Sequence, residues 1–236
     1  MPDTLVITSS PSDWAPLAEI TCKAMKAYCD RHGYGFFSWT ADTKDRWFNP
    51  ATKQSELLPT KGFVKLDLFL RWLPEYRHVV WLDADLLITN PAITLEDLWY
   101  QAVKWPMEQK IVLPYEHNGH NATVIMARSC DLVYDFFWAA NNTGRKLFLG
   151  HDWVEMEAMR YFAQTPPYDN LIAYLSAKKL CPILHTEYIE AGLPERVSSK
   201  YGWAEGDFAL HLSALHIDRR VELAREYSAR FPCESA

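Results

Sequence analysis

The chain has 236 residues, 49% of them hydrophobic and 23% charged, with a formal net charge of −6. This is the composition of a globular protein with one sizeable core, and the absence of a basic run argues against nucleic acid as a partner. No window approaches the roughly 18 uninterrupted apolar residues of a membrane span and no leader pattern opens the chain, so a single domain over 1–236 without a membrane span is expected.

Thr4 to Thr8 is a β-branched apolar run ending in Ser9-Ser10-Pro11, which predicts a strand. Leu17, Ile20, Ala24 and Tyr28 then recur at near-helical spacing and predict a helix over 15–32, stopped by Gly33. A second strand follows over 35–39, and strand–helix–strand at the start points to a parallel α/β sheet. Residues 41–60 are polar and weakly periodic and read as a long loop. A helix is expected over 61–73, closed by Pro74. Further strands are predicted at 78–85, 111–113, 122–127 and 208–212, and further helices at 130–140, 152–162 and 218–228. Five cysteines, Cys22, Cys29, Cys130, Cys181 and Cys233, form no C-x-x-C. An odd count without that spacing supports neither a disulfide framework nor a zinc site, and a reducing, cytoplasmic setting is the simpler reading. The triplets Asn121-Ala122-Thr123 and Asn141-Asn142-Thr143 read as chance matches to a glycosylation signal.

The sharpest chemical feature is His78-Val79-Val80-Trp81-Leu82-Asp83-Ala84-Asp85. Alternate strand positions share a side, so Asp83 and Asp85 converge at the end of an apolar strand. Two close carboxylates repel, and a bound cation relieves the repulsion; oxygen donors select Mg²⁺ or Mn²⁺. Ligands of open α/β sheets bind beyond the carboxyl ends of strands, where this pair lies. The alternative is a pair of solvated turn carboxylates, and the apolar context favours the cation. Asp152 and Glu155, three apart, share one face of the predicted helix at 152–162. Asp152 reads equally as the N-terminal cap of that helix.

The order of these features resembles the GT-A-fold glycosyltransferases, most closely the galactosyl/mannosyl/xylosyltransferase family typified by yeast galactosyltransferases and plant xyloglucan xylosyltransferases. The resemblance rests on Tyr34, Lys65, the run Trp81 to Pro91 around the Asp-x-Asp, the run Asn121 to Arg128, and the late His211. It implies one α/β domain of GT-A (Rossmann-like) type, with a mostly parallel sheet flanked by helices. It also implies Mn²⁺ or Mg²⁺, a UDP- or GDP-sugar donor and a carbohydrate or glycoconjugate acceptor, with retention of configuration. Asp83, Ala84 and Asp85 fall in donor binding, and His211 is the third metal ligand. In the family that histidine is followed after three residues by Gly and after two more by a phosphate-contacting Lys; here those places hold Ala214 and His216. His216, Arg219 and Arg220 are the candidates to replace the lysine. Asn121 matches an Asn-x-Gly before a strand, with Thr123 in place of Gly. Glu155 matches an acid near the anomeric carbon, with Met156 where the family has Gln; Asp152 is the neighbouring candidate. Thr8 and Ser9 are assigned to the nucleotide pocket, with plain polar turn residues as the alternative, and Lys65 to the phosphates, with a solvated helix lysine as the alternative. Two other functions compete: a non-catalytic sugar-nucleotide binder, and a phosphohydrolase with its own Asp-x-Asp strand.

Overall fold

The opening strand and helix follow the expected pattern. Strand β1 (Thr4–Pro11) buries its first five residues, and helix α1 (Ala15–His32) ends at Gly33, whose φ of 71° is the left-handed turn that lets its N–H reach Cys29 O. Strand β2 (Gly35–Ala41) pairs parallel with β1. The computed structural model describes all residues except 1, 42–45, 50–53, 58–61, 105–107, 117–118, 149–152, 186–188, 190–191, 193–194 and 234–236. Part of the expected 41–60 loop lies outside the described residues; within it, β3 (Arg46–Asn49) and β4 (Gln54–Leu57) pair antiparallel. Then come α2 (Phe63–Trp72), β5 (His78–Leu82), β6 (Leu86–Ile88), α3 (Leu95–Ala102), β7 (Ile111–Glu116), β8 (Gly119–His120) and β9 (Val124–Arg128). They are followed by α4 (Asp131–Phe148), α5 (Val154–Ala163), β10 (Ile172–Ser176), α6 (Ala177–Leu180), α7 (Glu195–Tyr201), β11 (Ala209–His211) and α8 (Ile217–Arg230).

The main sheet has seven strands in the order β10-β7-β9-β5-β1-β2, with β8 paired to β7 off that path. β10–β7, β5–β1 and β1–β2 run parallel, while β9 is inserted antiparallel between β7 and β5. Period-2 alternation sorts side chains to two faces. Leu5, Ile7, Val79, Trp81, Ile111 and Ile125 pack with α2, α4 and α5. Val6, Val80, Val112 and Met126 pack on the other side with Met25 and Tyr28 of α1 and Leu98 of α3. Each fully buried Leu or Phe contributes roughly 1.5–3 kcal/mol. A smaller cluster, including Leu17, Leu210, Leu212, Val221 and Ala224, fastens α8 to α1 beside the short β6–β11 ladder. Among the described residues no helix is long and apolar enough to cross a membrane.

One expectation is corrected. β5 stops at Leu82, so Asp83 and Asp85 do not share a strand face. They occupy a tight turn, closed by Leu86 N–H to Asp83 O at 3.0 Å, between β5 and β6. The carboxylates are brought together by the turn rather than by the pleat.

Candidate metal and donor site

Three backbone ties hold that turn. Asp83 N–H donates to Thr123 O (2.9 Å), Leu212 N–H donates to Asp85 O (3.0 Å), and Thr21 Oγ1 donates to Ala84 O (2.7 Å). β11 pairs with β6 in the register His211 to Leu86, which delivers His211 beside Asp85. Its Nε2 lies 3.5 Å from Asp85 Oδ1 and 3.5 Å from Thr123 Oγ1. One ligand atom from each of Asp83, Asp85 and His211 lies within 4.8 Å of the others.

Two fixed cations flank the trio. Helix α2 is buried over Phe63 to Leu70, so Lys65 is held inside the protein. Its Nζ donates to Ala122 O at 3.1 Å and lies 3.2 Å from both Asp83 Oδ1 and Glu155 Oε1. Trp81 Nε1 donates to the same Asp83 oxygen at 2.5 Å. On the far side Arg220 Nη1 donates to Asp85 Oδ2 at 2.8 Å. Asp83, Asp85 and Glu155 thus face two permanent cations, with the His211 imidazole beside Asp85.

The proton affinities reflect this crowding. Burial, reinforced by the Asp85 charge, lifts Asp83 above the usual carboxylate range against the pull of Lys65. Burial works the same way on Asp85, but His211 and Arg220 overcome it and hold Asp85 below its ordinary value. Burial disfavours the His211 imidazolium, yet Asp85 outweighs that cost and raises its pKa. Lys65 likewise stays charged: Asp83 and Glu155 more than offset its burial.

The site opens on two cavities. One, of about 290 Å³, is lined by Ser9, Trp14, Gly62, Ala84 and Trp153 as well as Asp83, Asp85 and Lys65. The other, of about 540 Å³, is lined by Glu116, Asn121, Thr123, Arg160, His211, Ser213 and Ala214 and shares Lys65, Asp83, Asp85, Trp153 and Glu155 with the first. Glu155 therefore stands at their junction. Its carboxylate sits over the start of α2, where a Cβ on Gly62 would lie 2.1 Å from Glu155 Oε2. Asn121 Oδ1 accepts from Thr123 N–H (2.6 Å) and its Nδ2 donates to Glu116 (3.1 Å), shaping the entry to β9.

Residues 3–221 match the profile of the galactosyl transferase GMA12/MNN10 family. The chain belongs to that family. An uncharacterized alpha-1,2-galactosyltransferase of Schizosaccharomyces pombe is 24% identical over 247 aligned positions, covering 89% of this chain; the chain spans 66% of that protein's length. Among solved structures, a glycosyltransferase involved in the glycosylation of the major capsid of PBCV-1 matches with a TM-score of 0.61 at 14% identity, over 94% of this chain and 99% of that one. The glycosyltransferase GlyE of Streptococcus pneumoniae TIGR4 matches with 0.63 at 14% identity, over 97% and 60%. These likenesses show the fold, which is GT-A. Family membership sets the phosphohydrolase reading aside.

Set against the pattern of the GMA12/MNN10 family, most candidate residues converge. Lys65, Asp83, Ala84, Asp85, Asn121, Glu155, His211 and Ser9 all line the two cavities. Thr8 is buried and lines neither cavity. Asp152 lies outside the described residues. His216 points away: it is exposed, with Nδ1 3.3 Å from Asp218. Ala214 adopts φ 61°, a conformation natural to glycine at the place where the family has one. Sequence reading missed Trp81 as a partner of Asp83, although the i, i+2 spacing in an apolar strand signals it. It also missed Thr123 as a neighbour of His211, for which no local signal exists.

Proposed function

We propose that the chain transfers a sugar from a nucleoside-diphosphate donor to an acceptor hydroxyl, aided by a divalent cation at Asp83, Asp85 and His211. The observation that carries this reading is the convergence of those three side chains, in a member of a sugar-transferring family. The donor set fits the ion: two carboxylates and one imidazole suit Mn²⁺, and Mg²⁺ to a lesser degree. When bound, the cation offsets negative charge as it grows on the departing diphosphate. The 290 Å³ cavity at the end of β1 is assigned to the nucleotide, with Ser9 and Ala84 on its wall. The 540 Å³ cavity is assigned to the donor sugar and the acceptor. Lys65 positions Asp83 and Glu155 by holding both. Glu155, at the junction, would face the anomeric carbon and steady the positive charge that forms there; retention of configuration is what the family resemblance implies. Trp153, with 63% of its surface exposed, offers a flat face to a sugar ring at the shared rim. The five free thiols support a reducing compartment as the working environment.

The test is a thermal-shift screen of UDP, GDP and their sugars with and without Mn²⁺, followed by release of nucleoside diphosphate from UDP-galactose, UDP-xylose, UDP-glucose and GDP-mannose. A native-state ligand raises stability by mass action. The expected result is one nucleotide family that stabilises only with Mn²⁺, and turnover that stops in excess EDTA. Binding without turnover of any donor would favour the non-catalytic binder. Full turnover in EDTA would remove the cation from the reaction.

A further inference from the structure

The His-x-x-Gly-x-Lys pattern breaks twice in this chain, and the two breaks have different structural outcomes. At Ala214 the backbone keeps φ 61°, so the loop after His211 still makes its left-handed turn without a glycine. A non-glycine residue holds that conformation against steric strain, so the surrounding contacts enforce it. The course of the loop is therefore intact up to Ala214. At position 216 the lysine's replacement fails: the His216 side chain is 79% exposed and turned to Asp218. Neither His216 nor Arg220 is itself on the wall of the two cavities, so what separates them is where each side chain is held.

Another cation lies one helical turn later. Arg220, on the first turns of α8, is drawn inward, with 13% of its side chain exposed. Nε donates to Leu215 O at 2.7 Å, Nη1 donates to Asp85 Oδ2 at 2.8 Å, and the guanidinium carbon lies 4.6 Å from the Trp14 ring centre. Both Trp14 and Asp85 line the 290 Å³ cavity. A guanidinium has five N–H donors, and these two bonds leave donors for an anion. The geometry at Asp85 allows joint use: Oδ1 faces His211 and Oδ2 faces Arg220. A cation on the first oxygen and an arginine on the second would flank one diphosphate.

We propose that Arg220, not His216, is the protein cation that contacts the donor diphosphate, so that α8 has taken over the work of the motif lysine. This rests on the donor reading above, and the experiment separates the two. Wild type, Arg220→Ala, Arg220→Lys and His216→Ala are titrated with UDP and GDP in the presence of Mn²⁺, with uridine and guanosine as phosphate-free probes, and with Mn²⁺ alone. Loss of a charge-assisted bond predicts at least about a tenfold weaker nucleoside-diphosphate affinity for Arg220→Ala. The same variant should bind Mn²⁺ alone no less tightly than wild type, because it frees Asp85 Oδ2. Collapse of the site would weaken both. Arg220→Lys, which keeps the charge and guards against a variant that fails to fold, should recover part of the affinity. His216→Ala should stay within about twofold of wild type, and nucleoside binding should not change with any variant. Arg220→Ala that binds UDP or GDP as tightly as wild type, or His216→Ala that loses as much as Arg220→Ala, overturns the proposal alone. Wild type that binds neither nucleoside diphosphate overturns the donor reading and this proposal together.

Discussion

Helix α2 carries two buried charges, Lys65 and Asp67, on different sides, and each anchors a polar cluster of a different kind. Asp67, 1% exposed, accepts from Asn141 Nδ2 (2.6 Å) and Arg145 Nη2 (3.0 Å), and Arg145 also donates to Asn141 Oδ1 (2.7 Å). Arg145 and Asn141 share the Asp67 carboxylate, and the cluster joins α2 to α4. Lys65 instead meets two acids, with Asp85 and His211 beyond, on the wall of a 540 Å³ cavity. Burial of charge is common to both. What distinguishes the second is that Asp83, Asp85 and Glu155, which share Lys65, Arg220 and His211, stand on the walls of open cavities, and that access is the property a ligand can use. The first cluster also disposes of a sequence pattern, since Asn141 of the second glycosylation-type triplet is fully buried in it.

The comparison breaks most visibly on stability. Asp67→Ala removes the buried carboxylate that Arg145 and Asn141 share and should cost about 3–5 kcal/mol, read from urea unfolding, while the protein that remains folded keeps its KM. Asp83→Asn should do the reverse, holding stability within about 1 kcal/mol and lowering turnover more than about 100-fold. If both variants lose stability equally, the two clusters are of one kind.

Gly62→Ala probes the join between helix and site. The added Cβ would meet Glu155 Oε2 at 2.1 Å and push the carboxylate off Lys65. With Glu155 acting in the transition state, as proposed, steady-state kinetics should show kcat falling about tenfold with KM little changed. Glu155→Asp in the same background, one methylene shorter, should restore part of the loss; an unchanged kcat in Gly62→Ala would separate Glu155 from the chemistry. The smallest effect is expected at Ala214→Gly. Relief of the left-handed strain, less the entropy that glycine loses on folding, should stabilise the protein by about 0.5 kcal/mol in urea titration without changing turnover. Destabilisation there would mean that the Ala214 methyl group makes contacts worth more than the strain.

Local chemistry made much of this legible. The α1 stripe and Gly33 gave the helix its observed limits, and the apolar run into Asp-x-Asp marked the acidic side of the site. What escaped were elements whose signal is short or distant. β6 has three residues and pairs only with β11, far along the chain. α3 is eight residues long, and the Thr94–Asp97 capping box that starts it is its clearest mark. The bond from Arg220 to Asp85 spans 135 positions, so no pattern within either segment contains it. His216 illustrates the converse: sequence position named it, and the start of α8 turned it outward.

The claim at the centre is that Asp83, Asp85 and His211 hold one divalent cation. Electron paramagnetic resonance of free Mn²⁺, titrated into the protein in the presence of UDP or GDP, counts that ion directly. Wild type and Asp67→Asn should each take up one Mn²⁺, whereas Asp85→Asn and His211→Ala should bind it at least about tenfold more weakly while remaining folded. Uptake by Asp85→Asn and His211→Ala equal to that of wild type would contradict the account.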